Sequence, residues 1–428
     1  MDEKTTININ SEDLNSEKET LEQKNIELAE EWAGKKVKRP EEKKKKTWKA
    51  FLVIGIIGII GGVGCLVAGF LKNPSETEKI AFPNLTPEKA DEKVYSNLTG
   101  EVLTDSAQKT APTYCIQTPN GTDGARPQAG LTEAGVIFEA IAEAGITRFA
   151  AIYQDPTSSV IGPIRSLRLY YLEWDTPFDC TIVHAGGADD ALQAVRAGGY
   201  RDLSEDYNYM YRGTAGSRLW NNLFTTANDL KRYANDHGYN SSNVKGFARM
   251  TPEESKKSRV DQTASEVLEI TTLTDKDTSK VDPKVSSIDL IFGGWASFNV
   301  SYEYDASTNT YLRSYESGAN HDVYKCGSDD IGEKNPEDVC ELTQMTPSVV
   351  VAMMVQESKA SDNYHEDITS IGNGKAYIFQ NGVAIEGTWS KSSRDEQIKF
   401  TDNNGDEIKL APGQTFVSAV PNYGSVAF

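Results

Sequence analysis

Histidine and cysteine are scarce in this chain, four and five in 428 residues. No Cys-x-x-Cys pair and no His-Glu-x-x-His run occurs, so no zinc site is written in the sequence. Neither a metal nor a cofactor is expected. A glycine-rich phosphate loop and a nucleophile elbow are missing as well, which leaves enzymatic chemistry without a recognisable signature. Cationic surplus is also lacking. The formal net charge is −19, and residues 1–71 balance twelve Lys+Arg against twelve Asp+Glu, leaving 32 basic and 51 acidic groups beyond them. A surface of that sign repels nucleic acid and anionic headgroups, and it excludes DNA and RNA as expected partners.

Long apolar runs are absent except for one. Residues 50–71, "AFLVIGIIGIIGGVGCLVAGFL", carry no charge. At about 1.5 Å per residue a helix of that length covers the roughly 30 Å hydrocarbon core of a bilayer. The preceding residues 35–49 hold nine Lys+Arg against two Glu, which places the N-terminus in the cytoplasm and residues 72–428 outside. "GVGC" at 62–65 has the look of a lipid-attachment site on Cys65. The long chain before it and the apolar residues after it favour an uncleaved anchor instead. Outside the cell, Cys326 and Cys340 bracket a short polar loop and are disulfide candidates, a bridge worth about 3 kcal/mol in the chain-entropy model. Cys115 and Cys180 could form a second bridge or remain free buried thiols.

The chain divides into a polar and basic cytoplasmic tail (1–49), the transmembrane helix (50–71), a tether (72–111), an α/β domain (112–250), a linker (251–284) and a β-rich C-terminal domain (285–428). In the α/β part, "LTEAGVIFEAIAEAG" (131–145) has helical apolar spacing, with Thr132 as N-cap and Gly145 as C-cap. Strands are expected at 147–154 and 179–187, and helices at 166–175, 189–199 and 225–238. The second part has short alternating runs joined by Asn-Gly turns.

Charged residues recur around these elements. On a helix at 131–145, Glu139 and Glu143 share a face, while Arg148, Arg165 and Arg168 follow the next two turns. His184 ends a buried strand, the end of an open α/β sheet at which ligands settle. Guanidiniums grip phosphate or carboxylate in bidentate fashion, so this set points to an anion-binding cleft. Pairing between elements and a satisfied core histidine are the plainer reading of the same residues.

The stretches "ARPQAGLTEAGVIFEAIAEAGITRFAAIYQ", "IGPIRSLR", "VHAGG" and "NLFT", with "GKAYIFQNGVAIEGTWSK" further on, resemble the YerB-like family of bacterial lipoproteins, a family of unknown function. The likeness spans roughly 112–428. It implies an extracytoplasmic protein with an α/β domain followed by a β-rich one, but it carries no reaction. Positions that match the family's polar pattern are Arg126, Glu139, Arg148, Arg165, Arg168, His184 and Asn222, with His321 and Asp322 in the second part. The chain departs from the pattern in two ways: an apolar run stands where relatives have a lipid-modified cysteine, and Asn221-Asn222 replaces a His-Asn pair. The expectation is a membrane-anchored envelope protein that binds an anionic ligand on Arg148, Arg165 and Arg168, with Glu139 orienting an arginine and His184 closing the pocket. An enzyme acting on phosphorylated or lipid-linked wall precursors, with His184 as acid/base, is the first alternative. An envelope scaffold is the second.

Overall fold

The computed structural model describes residues 93–214, 221–259, 284–328, 334–360 and 364–428. The expected tail, the apolar run 50–71 and most of the tether and linker lie outside the described residues. Among the described residues no helix is long and apolar enough to cross a membrane.

Three strands, β1 (Thr113–Pro119), β2 (Val136–Glu143) and β3 (Ile146–Gln154), are buried almost from end to end. Apolar runs of this kind suit strands covered on both faces. They pair with β4 (Thr181–His184) and β5 (Arg201–Ser204) on one side. On the other side stand β6 (Val349–Val355), β7 (Gly372–Gln380), β8 (Val383–Lys391), β9 (Lys399–Asp402) and β10 (Thr415–Pro421). The result is a ten-stranded sheet in the order β9-β8-β7-β6-β10-β2-β3-β1-β4-β5. Both sequence halves contribute to it, because Thr415–Ser418 of β10 lies parallel to Val136–Glu139 of β2. The first half is mixed α/β and the second is β-rich.

The strands β1, β2, β4, β5, β6 and β10 run in one direction. Their carboxyl ends therefore gather at one edge. Helices α1 (Leu169–Asp175) and α2 (Asp189–Ala197) pack on one face, where Trp174 stacks on Phe138 with ring centroids 5.3 Å apart. Helix α3 (Ala227–His237) packs on the opposite face, and there the Tyr114 hydroxyl donates to the Leu230 carbonyl. A four-stranded sheet of 310–315, 300–305, 287–291 and 425–427 shares that side, closing over Ile141 with Ile288, Leu290 and Tyr302. Both cysteine pairs, Cys115–Cys180 and Cys326–Cys340, are disulfides.

Two sequence expectations are corrected. The helix at 131–145 is a single 3₁₀ turn, Leu131–Glu133, followed by strand β2. Gly145 is no helix cap; with Ala144 it forms a two-residue hairpin loop, φ 77° and 49°, leading directly into β3. Positive φ at both loop positions matches the right-handed twist of the flanking strands. A continuous apolar run does not distinguish a buried strand from a helix by periodicity alone. The second correction concerns residues 93–111, assigned to the tether. They are held against the body: Leu98 is buried, and Arg249 donates from Nη2 to its carbonyl at 2.7 Å.

Candidate functional site

The carboxyl edge of the sheet carries two charged clusters, one on each face. Strand alternation separates them. Glu139 of β2 lies opposite Phe149 of β3, and Ala140 lies opposite Arg148, so Glu139 and Arg148 point to different faces. A register shift between Ile141 and Glu143 then changes the parity. Glu143 thereby reaches the face of Arg148, and Glu139 and Glu143 do not share a face as the helical reading had them.

On the face covered by α1 and α2, Glu143 holds two arginines. Arg148 donates from Nη2 to Glu143 Oε1 at 2.6 Å and from Nη1 to the Ser166 carbonyl at 2.7 Å. Arg168, the residue before α1, donates from Nη2 to Glu143 Oε2. Each arginine is only 5% exposed, and neither Nε–H has an acceptor. Burial would raise the Glu143 pKa, but Arg148 and Arg168, with His365 beyond them, hold the carboxyl below its usual range. Burial lowers the Arg148 pKa despite Glu143, and Arg168 adds to the lowering. Two guanidiniums thus share one carboxylate. Arg168 also lines a cavity of about 790 Å³ between α1, the start of α2 and the strand Glu366–Ile368. Its rim is acidic, with Glu173, Asp189, Asp190 and Asp367. Glu173 is already paired with Arg394 at 3.1 Å.

On the other face, Glu139 receives Arg313 Nη2 at 2.8 Å, Thr147 Oγ1 at 3.0 Å and Asn120 Nδ2 at 3.4 Å. The Glu139 and Arg313 side chains are both fully buried. Desolvation is the largest influence on the Arg313 cation and disfavours it, but Glu139 together with Tyr302 and Tyr315 outweighs it and raises the pKa above the usual value. His321 is driven well below its ordinary pKa by burial and then by Arg313 and Arg126, so it is neutral. Its Nδ1 accepts from Arg313 and its Nε2 faces Gln128 Oε1 at 3.2 Å, which assigns the proton to Nε2. Arg126 donates to Asn120 Oδ1 at 2.9 Å and lies 3.7 Å from the Tyr315 ring centroid.

The expected residues therefore divide. Arg148 and Arg168 come together, with Glu143 between them. Glu139, Arg126 and His321 come together around Arg313, so the arginine that Glu139 orients belongs to the second half. His184 joins neither cluster: its ring nitrogens face the Gly186 carbonyl at 2.6 Å and Asp202 Oδ1 at 2.8 Å, and its side chain is fully buried. It does not close a pocket, because backbone and carboxylate oxygens already occupy both polar positions. Arg165 threads between β1 and β4 through its backbone, bonded to Gln117 and Ala185, and its guanidinium pairs with no carboxylate among the described residues. Asn222 accepts from Arg212 at 2.9 Å and donates to the Gly213 carbonyl at 3.0 Å, a loop-holding role. Asp322 is half-buried at the start of a strand, opposite Gln344.

Sequence reasoning missed Arg313, Gln128, Asn120 and Tyr315. One signal was available for two of them: in "TYLRSY" the inward positions of the alternation are Tyr311, Arg313 and Tyr315, so the arginine sits where an apolar residue belongs. Among the described residues no group of three or more His, Cys, Asp or Glu side chains is placed to hold a metal ion.

Comparison with known proteins gives two domain matches. The N-terminal domain of the DUF3048 proteins of unknown function matches residues 98–240, and their C-terminal domain matches residues 288–417. A relative from Bacillus subtilis (strain 168), "Putative lipoprotein YerB", is 26% identical over 307 residues, which is 71% of this chain and 80% of the relative. The crystal structure of YerB protein from Bacillus subtilis superposes with a TM-score of 0.60 at 22% identity, covering 78% of this chain and 100% of that one. That likeness concerns the fold.

Proposed function

The chain belongs to the DUF3048 family of unknown function, and from that premise we propose that it is a membrane-anchored extracytoplasmic protein that binds an envelope ligand through an anionic group held at Arg168. Three features support the location. Residues 50–71 are long and apolar enough to anchor the chain, the basic flank at 35–49 favours an inside N-terminus, and the similar Bacillus protein carries the name "Putative lipoprotein YerB". Two disulfides suit an oxidising compartment.

The observation that carries the binding reading is the charge imbalance around Glu143. Two arginines at 5% exposure face one carboxylate, and the Nε–H of Arg168, a cavity-lining residue, lacks an acceptor. A buried charge without a counter-charge is costly, and an anion delivered through the cavity would complete the set. The acidic rim narrows the chemistry. A bare polyphosphate would meet Asp189, Asp190 and Asp367 on the way in, whereas a ligand bearing both a carboxylate and an ammonium would satisfy Arg168 and the rim together. Cell-wall peptide fragments carry both groups. His184, sealed between Gly186 and Asp202, gives the enzymatic alternative no support.

The test is isothermal titration of the full chain in detergent with a muropeptide bearing a free carboxylate and a free amine. Arg168→Gln should weaken binding by about tenfold or more, the loss expected for a charge-assisted hydrogen bond. Equal affinity for the wild type and Arg168→Gln would remove the reading.

A further inference from the structure

A second cavity, of about 580 Å³, lies between the N-terminal turn of residues 94–103 and the segment 244–251. Its charged lining residues are Lys93, Lys109 and Arg249, and among the described residues no carboxylate lines it. That runs against the sign of a chain with a net charge of −19.

Arg249 is the built part of this cavity. Its guanidinium donates to the Ala411 carbonyl at 3.0 Å, the Thr415 hydroxyl at 2.8 Å and the Leu98 carbonyl at 2.7 Å, all neutral acceptors. Its Nε–H is enclosed and has no acceptor. Gly100 lets the turn close on the arginine stem; a Cβ there would lie 2.9 Å from Arg249 Cβ. Burial lowers the Arg249 pKa to about 9, and Glu101, a carboxylate that acts on it from outside the lining, raises it only in part. Lys93 is paired with Glu253 at 2.6 Å, both on the surface. Lys109 makes no ion pair among the described residues; the last turn of the short 3₁₀ helix Ser106–Thr110 carries it. Tyr95 and Phe247 also line the cavity, with the Arg249 guanidinium 5.9 Å from the Phe247 ring centroid, and Asn97 adds an amide.

From this arrangement we propose that the cavity is an anion site, separate from the one at Arg168, that takes a phosphate ester. The negative oxygens lie among Lys109, Lys93 and Arg249, and the organic remainder packs on Tyr95 and Phe247. Three cations around a phosphoryl group supply the charge-assisted donors such a group needs. The rings supply an apolar wall that inorganic anions do not use. Phosphate esters of this kind reach a protein outside the membrane either as soluble glycerol phosphate or as the headgroup of an anionic phospholipid.

The experiment titrates the full chain in a neutral detergent with glycerol phosphate and with dihexanoyl phosphatidylglycerol below its micellar concentration. Dihexanoyl phosphatidylcholine is the control. Binding of either anionic probe, weakened about tenfold or more by Lys109→Gln and unchanged by Arg168→Gln, supports the site. Tighter binding of the phosphatidylglycerol assigns the lipid as its source, and tighter binding of glycerol phosphate assigns the soluble ester. Lys109 is exposed and structurally uncommitted, so its replacement leaves the fold intact. Arg249→Lys, which keeps the charge, should retain part of the affinity. No binding of either anionic probe, or binding indifferent to Lys109→Gln, overturns the proposal.

Discussion

Residue by residue, the most demanding feature of this protein is the fully buried Glu139–Arg313 pair that ties the two sequence halves together. Glu139→Gln would leave Arg313 enclosed without a counter-charge, and breaking such a pair costs about 3–5 kcal/mol. Urea unfolding of that variant should show the loss; a change under about 1 kcal/mol would mean that water or another group compensates. His321 beside it sets a pH dependence. Its folded pKa lies well below the ordinary 6.5, so the unfolded chain takes up a proton that the folded one refuses. Its contribution is fully present above pH 6.5 and is lost as pH falls below it, by up to about 1.4 kcal/mol per unit. His321→Gln keeps an acceptor for Arg313 and a donor for Gln128, and it should flatten the stability profile between about pH 6.5 and 5 relative to wild type. An unchanged slope would mean that His321 is charged in the fold. How much of this was legible is clear at Arg313. Its place in the alternation of "TYLRSY" marks it as inward-facing, but its partner lies 174 positions away on another strand, and spacing along the chain does not reveal that.

At the level of elements, the strand at 146–154 and the helices at 169–175, 189–197 and 227–237 follow from apolar patterning and turn residues. β2 does not. Val136, Ile137, Ala140, Ile141 and Ala144 fit a helical stripe, yet the run is apolar throughout because both faces of the strand are covered. Once that segment is a strand, the bulge decides which face Glu143 serves, and a bulge leaves no sequence signal here. The hairpin that fixes this geometry is testable. Gly145 has φ 77° and a Cβ there would lie 3.1 Å from Trp295, so Gly145→Ala should cost about 1–2 kcal/mol. Asn, which tolerates left-handed backbone, should cost less than a β-branched Val when thermal midpoints are compared. The hairpin of Glu357–Lys359 with Glu366–Ile368 holds a second pH-dependent group. Burial raises the Glu357 pKa from 4.5 to about 7, even though the Tyr423 hydroxyl donates to it. A raised carboxyl is accommodated below its unfolded pKa and opposes folding as pH rises through 7. Glu357→Gln should therefore stabilise the protein at pH 8, by on the order of 1–3 kcal/mol, and change little at pH 4. Equal effects at both pH values would contradict that assignment.

For the whole molecule, a single sheet runs through both sequence halves, and β10 against β2 is the seam. The sequence pointed to an α/β part and a β-rich part, but strand pairing across a separation of this size has no local signature. The Cys115–Cys180 bridge links β1 to the residue before β4 across 65 positions. Closing a loop of that length is worth about 4 kcal/mol in the chain-entropy model, so reductant should lower the unfolding midpoint substantially; an unchanged midpoint would mean that the bridge is absent. The candidate site was half legible: Arg148 and Arg168 belonged together, whereas Glu139 and His184 belonged elsewhere. Its logic is an imbalance, two enclosed guanidiniums to one carboxylate beside an open cavity. The most direct measurement changes that imbalance in both directions, by titrating one muropeptide into the full chain and into Arg168→Gln and Glu143→Gln. Removing the arginine should weaken binding about tenfold or more, and removing the carboxylate should tighten it, because Glu143 competes with the ligand for the same donors. Affinities that are equal in all three proteins would contradict the account.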